Sequence, residues 1–405
     1  MKSIVISLVL ILSTQVHAQS VRDSLNQRLA TIAQSSELPG FAVSIVSKDK
    51  ILYSNGFGYA DRERKIPFTS ETVQNIGSIT KTLIGFATMK LVEEGKLSLE
   101  DPINDYLPFS VVNPSFPNQP ITVRQLATHT SSLTDGADDM VIEKTYLFTG
   151  EINFQEEELP EDYYPYFRIY QQNESMSMEQ YLYDVYHVKG KFYAKTNFLE
   201  QPPGTAYRYS NIGATLLALI IEKISGESFS DYTQKILLAP LELESTYWNL
   251  ENVPKDKMIT HYLSNGLRIP PYELITYPDG GLLTNVTDFS YYLMDMIKGL
   301  AGEGQLLSKE GYEELMSNQL TIENFPNGNF EVTKGLMWNV NREEDNISMN
   351  GSDPGILTYT LFTTAGNLGI VIFMNTNIDD NESIEDAFNA IRGTLFQNAG
   401  ALLKE

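Results

Sequence analysis

The sequence predicts an α+β fold in which an antiparallel sheet of about five strands is flanked by terminal helices, with a mostly helical region inserted between the two parts of the sheet. Two observations lead to this prediction. Strand-like runs lie towards both ends of the chain, and the region between them contains long apolar stretches with helical spacing. A single sheet that joins the runs from both ends is the simplest arrangement that buries their apolar faces.

The N-terminal part contributes a helix and a hairpin. Residues 21–35 place apolar side chains at the intervals of an amphipathic helix, and strand-like runs follow at 41–47 and 51–59. The polar residues 48–50 separate the two runs, as expected for the turn of a β-hairpin.

The C-terminal part contributes three further strands and a final helix. Strand-like runs at 335–340, 356–362 and 368–375 are separated by turn residues, and apolar residues at helical spacing follow from 384 to 395. Together with the hairpin, these runs make up the predicted sheet.

We expect one folded catalytic unit over residues 19–405. Its sheet region comprises about 21–65 and 330–405, and its helical region about 70–325.

The first residues have the features of a secretory signal peptide. Residues 1–18 comprise a short basic start, an apolar run and a small-residue site, which predicts cleavage near Ala18. The apolar run is too short to be a stable membrane anchor, and no other run in the sequence is long enough to span a bilayer. The sequence therefore predicts an exported, periplasmic protein.

The composition argues against several classes of partner. The chain carries 29 Lys and Arg against 52 Asp and Glu, and the resulting net charge of -23 repels nucleic acid and anionic membranes. His187 and His261 are isolated and there is no Cys, so we expect neither a metal nor another cofactor. The expected partner is a small-molecule or peptide-like substrate, while the oligomeric state is not specified by the sequence.

Ser78 and Lys81 form an S-x-x-K motif at the start of an apolar stretch that reads as a buried helix ending at Gly95. Residues three apart on a helix share a face, so the lysine amine can reach the serine hydroxyl. A serine hydroxyl needs a base to become a nucleophile, and burial at a helix N-terminus disfavours the charged form of a lysine. A second S-x-x-K begins at Ser47, but it lies in the predicted hairpin turn.

Tyr209 and Asn211 supply a second proton-handling group and a polar residue to orient it. They follow a Pro-Gly turn and precede an apolar helix, whereas the Tyr-x-Asn patterns that begin at Tyr53 and Tyr247 lie in strand-like runs. Residues two apart at an irregular turn can point into the same cleft, so this pair is the second candidate element of the site.

With these motifs, the chain resembles the class C β-lactamase-like serine hydrolases, a group that includes D-Ala-D-Ala carboxypeptidases, D-aminopeptidases and related esterases. The resemblance covers nearly the whole mature chain and implies the serine β-lactamase/DD-peptidase fold. It rests on motifs in the family's order, at residues 78–81, 126–133, 203–211, 280–284 and 350–355.

The resemblance also implies a mechanism. Ser78 would attack a carbonyl and become acylated, while Lys81 and Tyr209 would share the roles of base and acid. Asn211 would hold Lys81 and the substrate amide, and the backbone N–H groups of Ser78 and Ser352 would form the oxyanion hole. His129, within the second motif, would be structural.

The C-terminal motif departs from the family pattern at Met349-Asn350-Gly351, where the family carries Lys or His at the first position. Methionine cannot donate a hydrogen bond to a tyrosine oxygen or attract a substrate carboxylate, and Lys334 offers no obvious substitute because it precedes a predicted strand. An uncharged ester or amide substrate therefore fits best. Met349, Asn350 and Gly351 remain candidate substrate-binding residues.

Two alternatives to an ester or amide hydrolase stay open. One is a non-catalytic or weakly active binding homologue that has kept the cleft, and the other is a β-lactamase or D,D-peptidase. The acidic, tyrosine-rich segment 135–201 is interpreted as a surface excursion, with a substrate-binding lid as the alternative.

Overall fold

A computed structural model describes residues 21–136, 140–152, 154–325, 333–341, 343–365 and 367–404, without the side chain of Asp162. The predicted signal segment, residues 1–18, lies outside these ranges. Within them, no helix is both long and apolar enough to cross a membrane.

Seven antiparallel strands form the main sheet, in the order β10-β11-β12-β13-β1-β2-β3. Their bounds are β1 Gly40–Val46, β2 Ile51–Asp61, β3 Ile66–Pro67, β10 Asn339–Asn341, β11 Asn346–Asp353, β12 Ile356–Thr363 and β13 Gly369–Met374. In the centre of the sheet, β1 from the N-terminal part pairs with β13 from the C-terminal part. The predicted joining of the two ends of the chain into one sheet is therefore confirmed.

The strand count and one strand position differ from the prediction. The sheet gains β3 and β11, which raises the expected five strands to seven. The run 335–340 is a strand only from Asn339 onwards, because Gly335 N–H bonds to the carbonyl of Trp338 at 2.9 Å and closes a turn. Met337 in that turn has φ +63°, which is incompatible with a strand.

Among the described residues, three small two-stranded sheets lie outside the main one. They pair β4 Gln74–Asn75 with β9 Leu283–Thr284, β5 Tyr146–Phe148 with β8 Tyr272–Leu274, and β6 His261–Tyr262 with β7 Arg268–Ile269.

The α-helices of the described residues occupy both faces of the main sheet. Their bounds are α1 21–35, α2 Lys81–Glu93, α3 Val123–Ala127, α4 Tyr164–Tyr170, α5 Met178–Tyr186, α6 Asn211–Ser225, α7 Phe229–Thr233, α8 Val286–Leu300, α9 Lys309–Met316 and α10 Glu382–Leu403. The terminal helices α1 and α10 pack on one face of the sheet and form an apolar cluster with it. The larger cluster on the other face joins α2, α6 and α8, so the predicted flanking helices and inserted helical region are confirmed.

The tyrosine-rich segment is more than a solvated excursion. Tyr146, Phe154, Phe167 and Tyr170 are buried in a small core that also includes Tyr272 from β8. Because this core packs β5 against β8, the segment is tied to the rest of the helical region and stands beside the end of β11.

Candidate active site

Ser78 lies in a 3-10 turn, Gly77–Thr80, that leads directly into α2. Lys81 is the first residue of α2 and is fully buried. Its Nζ donates hydrogen bonds to Ser78 Oγ at 3.0 Å and to the carbonyl oxygen of Asp279 at 2.6 Å. The S-x-x-K spacing therefore brings the amine to the hydroxyl, as a helical face requires.

Two glycines allow β11 to pass against the Ser78 turn. Gly77 has φ +54°, and a Cβ at Gly351 would lie 2.2 Å from the carbonyl oxygen of Ile76 and 2.9 Å from the backbone nitrogen of Ser78. The side chain of Thr358 fixes the same approach, because its Oγ1 donates to the Ile76 carbonyl at 2.7 Å. The backbone of β11 is therefore held directly beside Ser78.

Tyr209 completes a hydrogen-bonded triad. Its hydroxyl donates to Ser78 Oγ at 2.7 Å, and Lys81 Nζ lies 5.2 Å from the centre of its ring. The ring packs on His129 with 4.5 Å between ring centres, and the N–H of Ser210 donates to Nδ1 of His129 at 3.3 Å. Ser210 also caps α6, so the start of that helix fixes the direction of Tyr209.

Asn211 has a different partner from the one expected. Its side-chain amide donates to the carboxylate of Asp135 at 2.9 Å, whereas the hydrogen bonds of Lys81 go to Ser78 and Asp279. Asp135 also accepts from the hydroxyl of Ser210 at 2.6 Å and from the backbone N–H of Asn211 at 2.9 Å. Asp135 was not predicted from the sequence; it anchors the positive end of α6 beneath the site.

The pKa of Lys81 departs from the expectation of a neutral amine. Burial lowers it, but the phenol of Tyr209 and the carboxylate of Asp279 raise it, and the pKa ends above its ordinary value. Burial raises the pKa of Tyr209, and the charge of Lys81 only partly opposes this. Because Tyr209 is the largest cause that raises the pKa of Lys81, the two groups titrate as one coupled pair.

The triad opens into a cavity of about 580 Å³. Its charged lining residues are mostly acidic: Asp135, Glu143, Asp279 and Asp353, with Arg208 as the cation. The hydroxyl of Tyr146 donates to Asp353 at 2.6 Å, and burial raises the pKa of that carboxyl to about 7.

Not all of the predicted substrate-binding residues reach this cavity. Asn211 and Ser352 line it together with Ser78 and Tyr209. Of the described residues on β11, the cavity lining includes only Ser352 and Asp353, while Met349 is 3% exposed and packs in the apolar core. Asn350 is exposed, and Gly351 contributes the close backbone approach instead. In the part of the chain that the structure describes, no group of three or more His, Asp and Glu could hold a metal ion.

The family to which the chain belongs follows from a sequence match. The sequence matches the Beta-lactamase family over residues 25–393. The chain belongs to the beta-lactamase family. The predicted resemblance is thus confirmed over almost all of the described sheet and helical region.

Curated relatives of this beta-lactamase family member are distant. It is 25% identical over 352 residues to Protein flp of Staphylococcus aureus (strain NCTC 8325 / PS 47), which covers 85% of this chain and 61% of that protein. It is 29% identical over 321 residues to the Homo sapiens serine beta-lactamase-like protein LACTB, mitochondrial, covering 69% of this chain and 56% of that protein. The chain therefore spans less than two thirds of the length of these relatives.

Solved structures share the fold. The octameric penicillin-binding protein homologue from Pyrococcus abyssi aligns with a TM-score of 0.67 and 25% identity, over 94% of this chain and 77% of that chain. A class C beta-lactamase aligns with a TM-score of 0.64 and 20% identity, over 93% and 96% of the two chains. At that lower identity, the likeness bears on the fold alone.

Proposed function

We propose that this protein is a serine hydrolase that cleaves an ester or amide bond through an acyl-enzyme on Ser78. The observation that carries the proposal is the convergence of two proton-handling groups on one hydroxyl. Ser78 Oγ lies 3.0 Å from Lys81 Nζ and 2.7 Å from the Tyr209 hydroxyl. This arrangement is the one that activates a serine nucleophile.

Before the first half-reaction, the Lys81–Tyr209 pair releases one proton to solvent. Ser78 Oγ then attacks the substrate carbonyl carbon, and its proton passes to the pair. The pair then returns a proton to the leaving oxygen or nitrogen as the bond to the carbonyl carbon breaks. In the second half-reaction, water attacks the acyl-enzyme, the pair takes the proton of that water, and Ser78 recovers its own. Because the two groups interact strongly, they act as one titrating unit.

The negative charge that develops on the carbonyl oxygen of the substrate needs hydrogen-bond donors close to Ser78. We assign this role to the backbone N–H groups of Ser78 and Ser352. Support comes from β11, whose Gly351 backbone approaches the Ser78 nitrogen closely, and from Ser352, which lines the cavity and stands opposite Leu357 in the β11–β12 ladder.

The charge of the cavity favours substrates without a free carboxylate. Four carboxyl-bearing residues line it against one arginine, Arg208, and Met349 offers no cation from β11. An anionic substrate would meet repulsion there, whereas an uncharged ester or amide would not. A β-lactamase or D,D-peptidase activity is the weaker alternative, and the class C beta-lactamase that shares the fold suggests the first of these.

A binding protein without turnover is the second candidate function. The buried Met349 favours it, because the C-terminal motif then contributes no hydrogen-bond donor to Tyr209. Such a protein would keep the cavity but would not form an acyl-enzyme.

Labelling with a fluorophosphonate probe separates these candidates. We expect the wild-type protein to be labelled, Ser78→Ala to lose the label, and Ser47→Ala to keep it. Ser47 begins the second S-x-x-K, but its Oγ caps the β1–β2 turn by accepting from the N–H of Lys50 at 3.2 Å. Labelling that survives in Ser78→Ala would contradict the proposal, and a complete lack of labelling would favour the binding protein.

A substrate panel then defines the reaction. We expect turnover of p-nitrophenyl esters or D-amino acid amides to exceed turnover of nitrocefin. Rapid hydrolysis of nitrocefin with slow ester hydrolysis would instead identify a β-lactamase.

A further inference from the structure

A second buried lysine lies close to Tyr209. Lys334 is 5% exposed, and its Nζ lies 5.7 Å from the centre of the Tyr209 ring and 5.6 Å from that of Tyr207. It donates a hydrogen bond to the side-chain oxygen of Asn339, a neutral acceptor. The steps proposed above give this amine no role.

The backbone around Lys334 is fixed by the rest of the fold. Its carbonyl accepts from the N–H of Gln319 at 2.6 Å. In the turn that follows, the N–H of Leu336 bonds to Leu315 and the N–H of Met337 bonds to Ala127, both at 2.9 Å. These hydrogen bonds hold the backbone of Lys334 in place, so the fold determines the position of its amine beside Tyr209.

Tyr209 consequently stands among three nitrogen-bearing side chains. Lys81 lies 5.2 Å from its ring centre, Lys334 lies 5.7 Å from it, and the His129 ring packs at 4.5 Å. Burial and the charges of both lysines hold the pKa of His129 well below its ordinary value, so His129 stays neutral. The positive charge around the phenol is therefore carried by the two lysines.

We propose that Lys334 is a positioning residue whose ammonium stabilises the phenolate form of Tyr209, and so supplies from outside β11 the cation that position 349 lacks. This inference rests on the proposed acyl-enzyme function. The phenol loses its proton to solvent, and the phenolate then accepts the proton of Ser78 and passes it to the leaving group. The sequence-based expectation that Lys334 is no substitute for the missing cation is thereby replaced.

The charge of Lys334 depends on the groups around it. Burial and the charge of Lys81 lower its pKa to about 7. Coupling between two titrating groups is reciprocal, so ionisation of Tyr209 raises the pKa of Lys334 by the same amount that Lys334 lowers the pKa of Tyr209. The titrating groups that face it are Lys81, His129, Tyr207 and Tyr209, and of these only Tyr209 becomes negative during the reaction.

The test compares Lys334→Met and Lys334→Arg with wild type. The readout is the pH dependence of kcat/KM for p-nitrophenyl acetate and of the labelling rate with a fluorophosphonate. Lys334→Met removes the charge and keeps the length of the side chain. We therefore expect kcat to fall about tenfold to hundredfold and the rising limb of the kcat/KM pH profile to shift by about one pH unit towards higher pH. Lys334→Arg keeps the charge and should keep the limb near its wild-type position.

The control is Lys191→Met, which removes an exposed amine 5.2 Å from the ring of Phe192, outside the cavity lining. It should leave both readouts unchanged. A Lys334→Met protein that is labelled with the wild-type pH profile would overturn the inference while leaving Ser78 as the nucleophile. Equal losses in Lys334→Met and Lys334→Arg without movement of the limb would assign Lys334 a purely structural role. If wild type itself is not labelled, the proposed function fails and the inference fails with it.

Discussion

Tyr209→Phe removes the hydroxyl that donates to Ser78 Oγ at 2.7 Å and leaves the ring in place. The packing on His129 and the contact of Lys81 with Ser78 remain, so the protein should fold normally. The lost hydroxyl is half of the pair that takes the proton of Ser78 and returns one to the leaving group. Since positioned acid–base groups contribute about 10²- to 10⁴-fold to a rate, we expect kcat to fall by that factor. The corresponding increase in activation free energy is about 3 to 5 kcal/mol.

Steady-state hydrolysis of whichever p-nitrophenyl ester the wild type accepts measures this effect. KM should change little, because the hydroxyl acts during proton transfer. Tyr232→Phe is the matched control, since the Tyr232 side chain is also buried and its hydroxyl has no hydrogen-bond partner among the described residues. A Tyr209→Phe protein with wild-type kcat, or an equal loss in Tyr232→Phe, would refute the proposed role of Tyr209.

Three further predictions follow from the structure. Asp135→Ala leaves the buried donors at the start of α6 without an acceptor, so we expect the free energy of unfolding to fall by about 3 kcal/mol in urea titrations; a change within error would contradict its anchoring role. Gly351→Ala places a Cβ 2.2 Å from the carbonyl oxygen of Ile76, so β11 must move away from the Ser78 turn and kcat should fall about tenfold or more, while unaltered kinetics would show that the contact can relax. Because the pKa of Lys81 is raised, the pair must lose a proton to act as a base, so kcat/KM should rise as the pH increases above neutral; a profile that falls over this range would assign the base to another group.

The fold was predictable where periodicity was strong. β1, β2, β12 and β13 are apolar runs of ordinary strand length, and each was predicted within two residues of its observed bounds. β11 was missed although Ile347, Met349 and Gly351 alternate with polar residues, because its glycine and polar content resembles a turn. β3 is two residues long and carries no periodic signal.

The candidate site was predictable where its geometry is local. The contact between Ser78 and Lys81 was predictable because residues three apart on a helix share a face. The candidate role of Tyr209 was predictable because this residue lies between a turn and a helix. Asp135 and Lys334 carry no such signal. Asp135 meets Asn211 across 76 residues of sequence, so only the folded chain brings them together.

The direction of the pKa shift of Lys81 was predicted wrongly for a related reason. Burial and the helix terminus are visible in sequence and both favour a neutral amine. The carbonyl of Asp279, which accepts from Lys81, lies 198 residues away and is placed by tertiary structure. The phenol of Tyr209 and the carboxylate of Asp279, both placed by tertiary structure, therefore decide the direction of the pKa shift.

Mass spectrometry of a trapped intermediate tests the central claim most directly. The protein is mixed with a slowly hydrolysed p-nitrophenyl ester, quenched with acid and digested, and the acylated peptide is sequenced. The account predicts one acyl group, carried by Ser78 and absent from Ser78→Ala. An acyl group on any other residue, or product formation by Ser78→Ala at the wild-type rate, would contradict it.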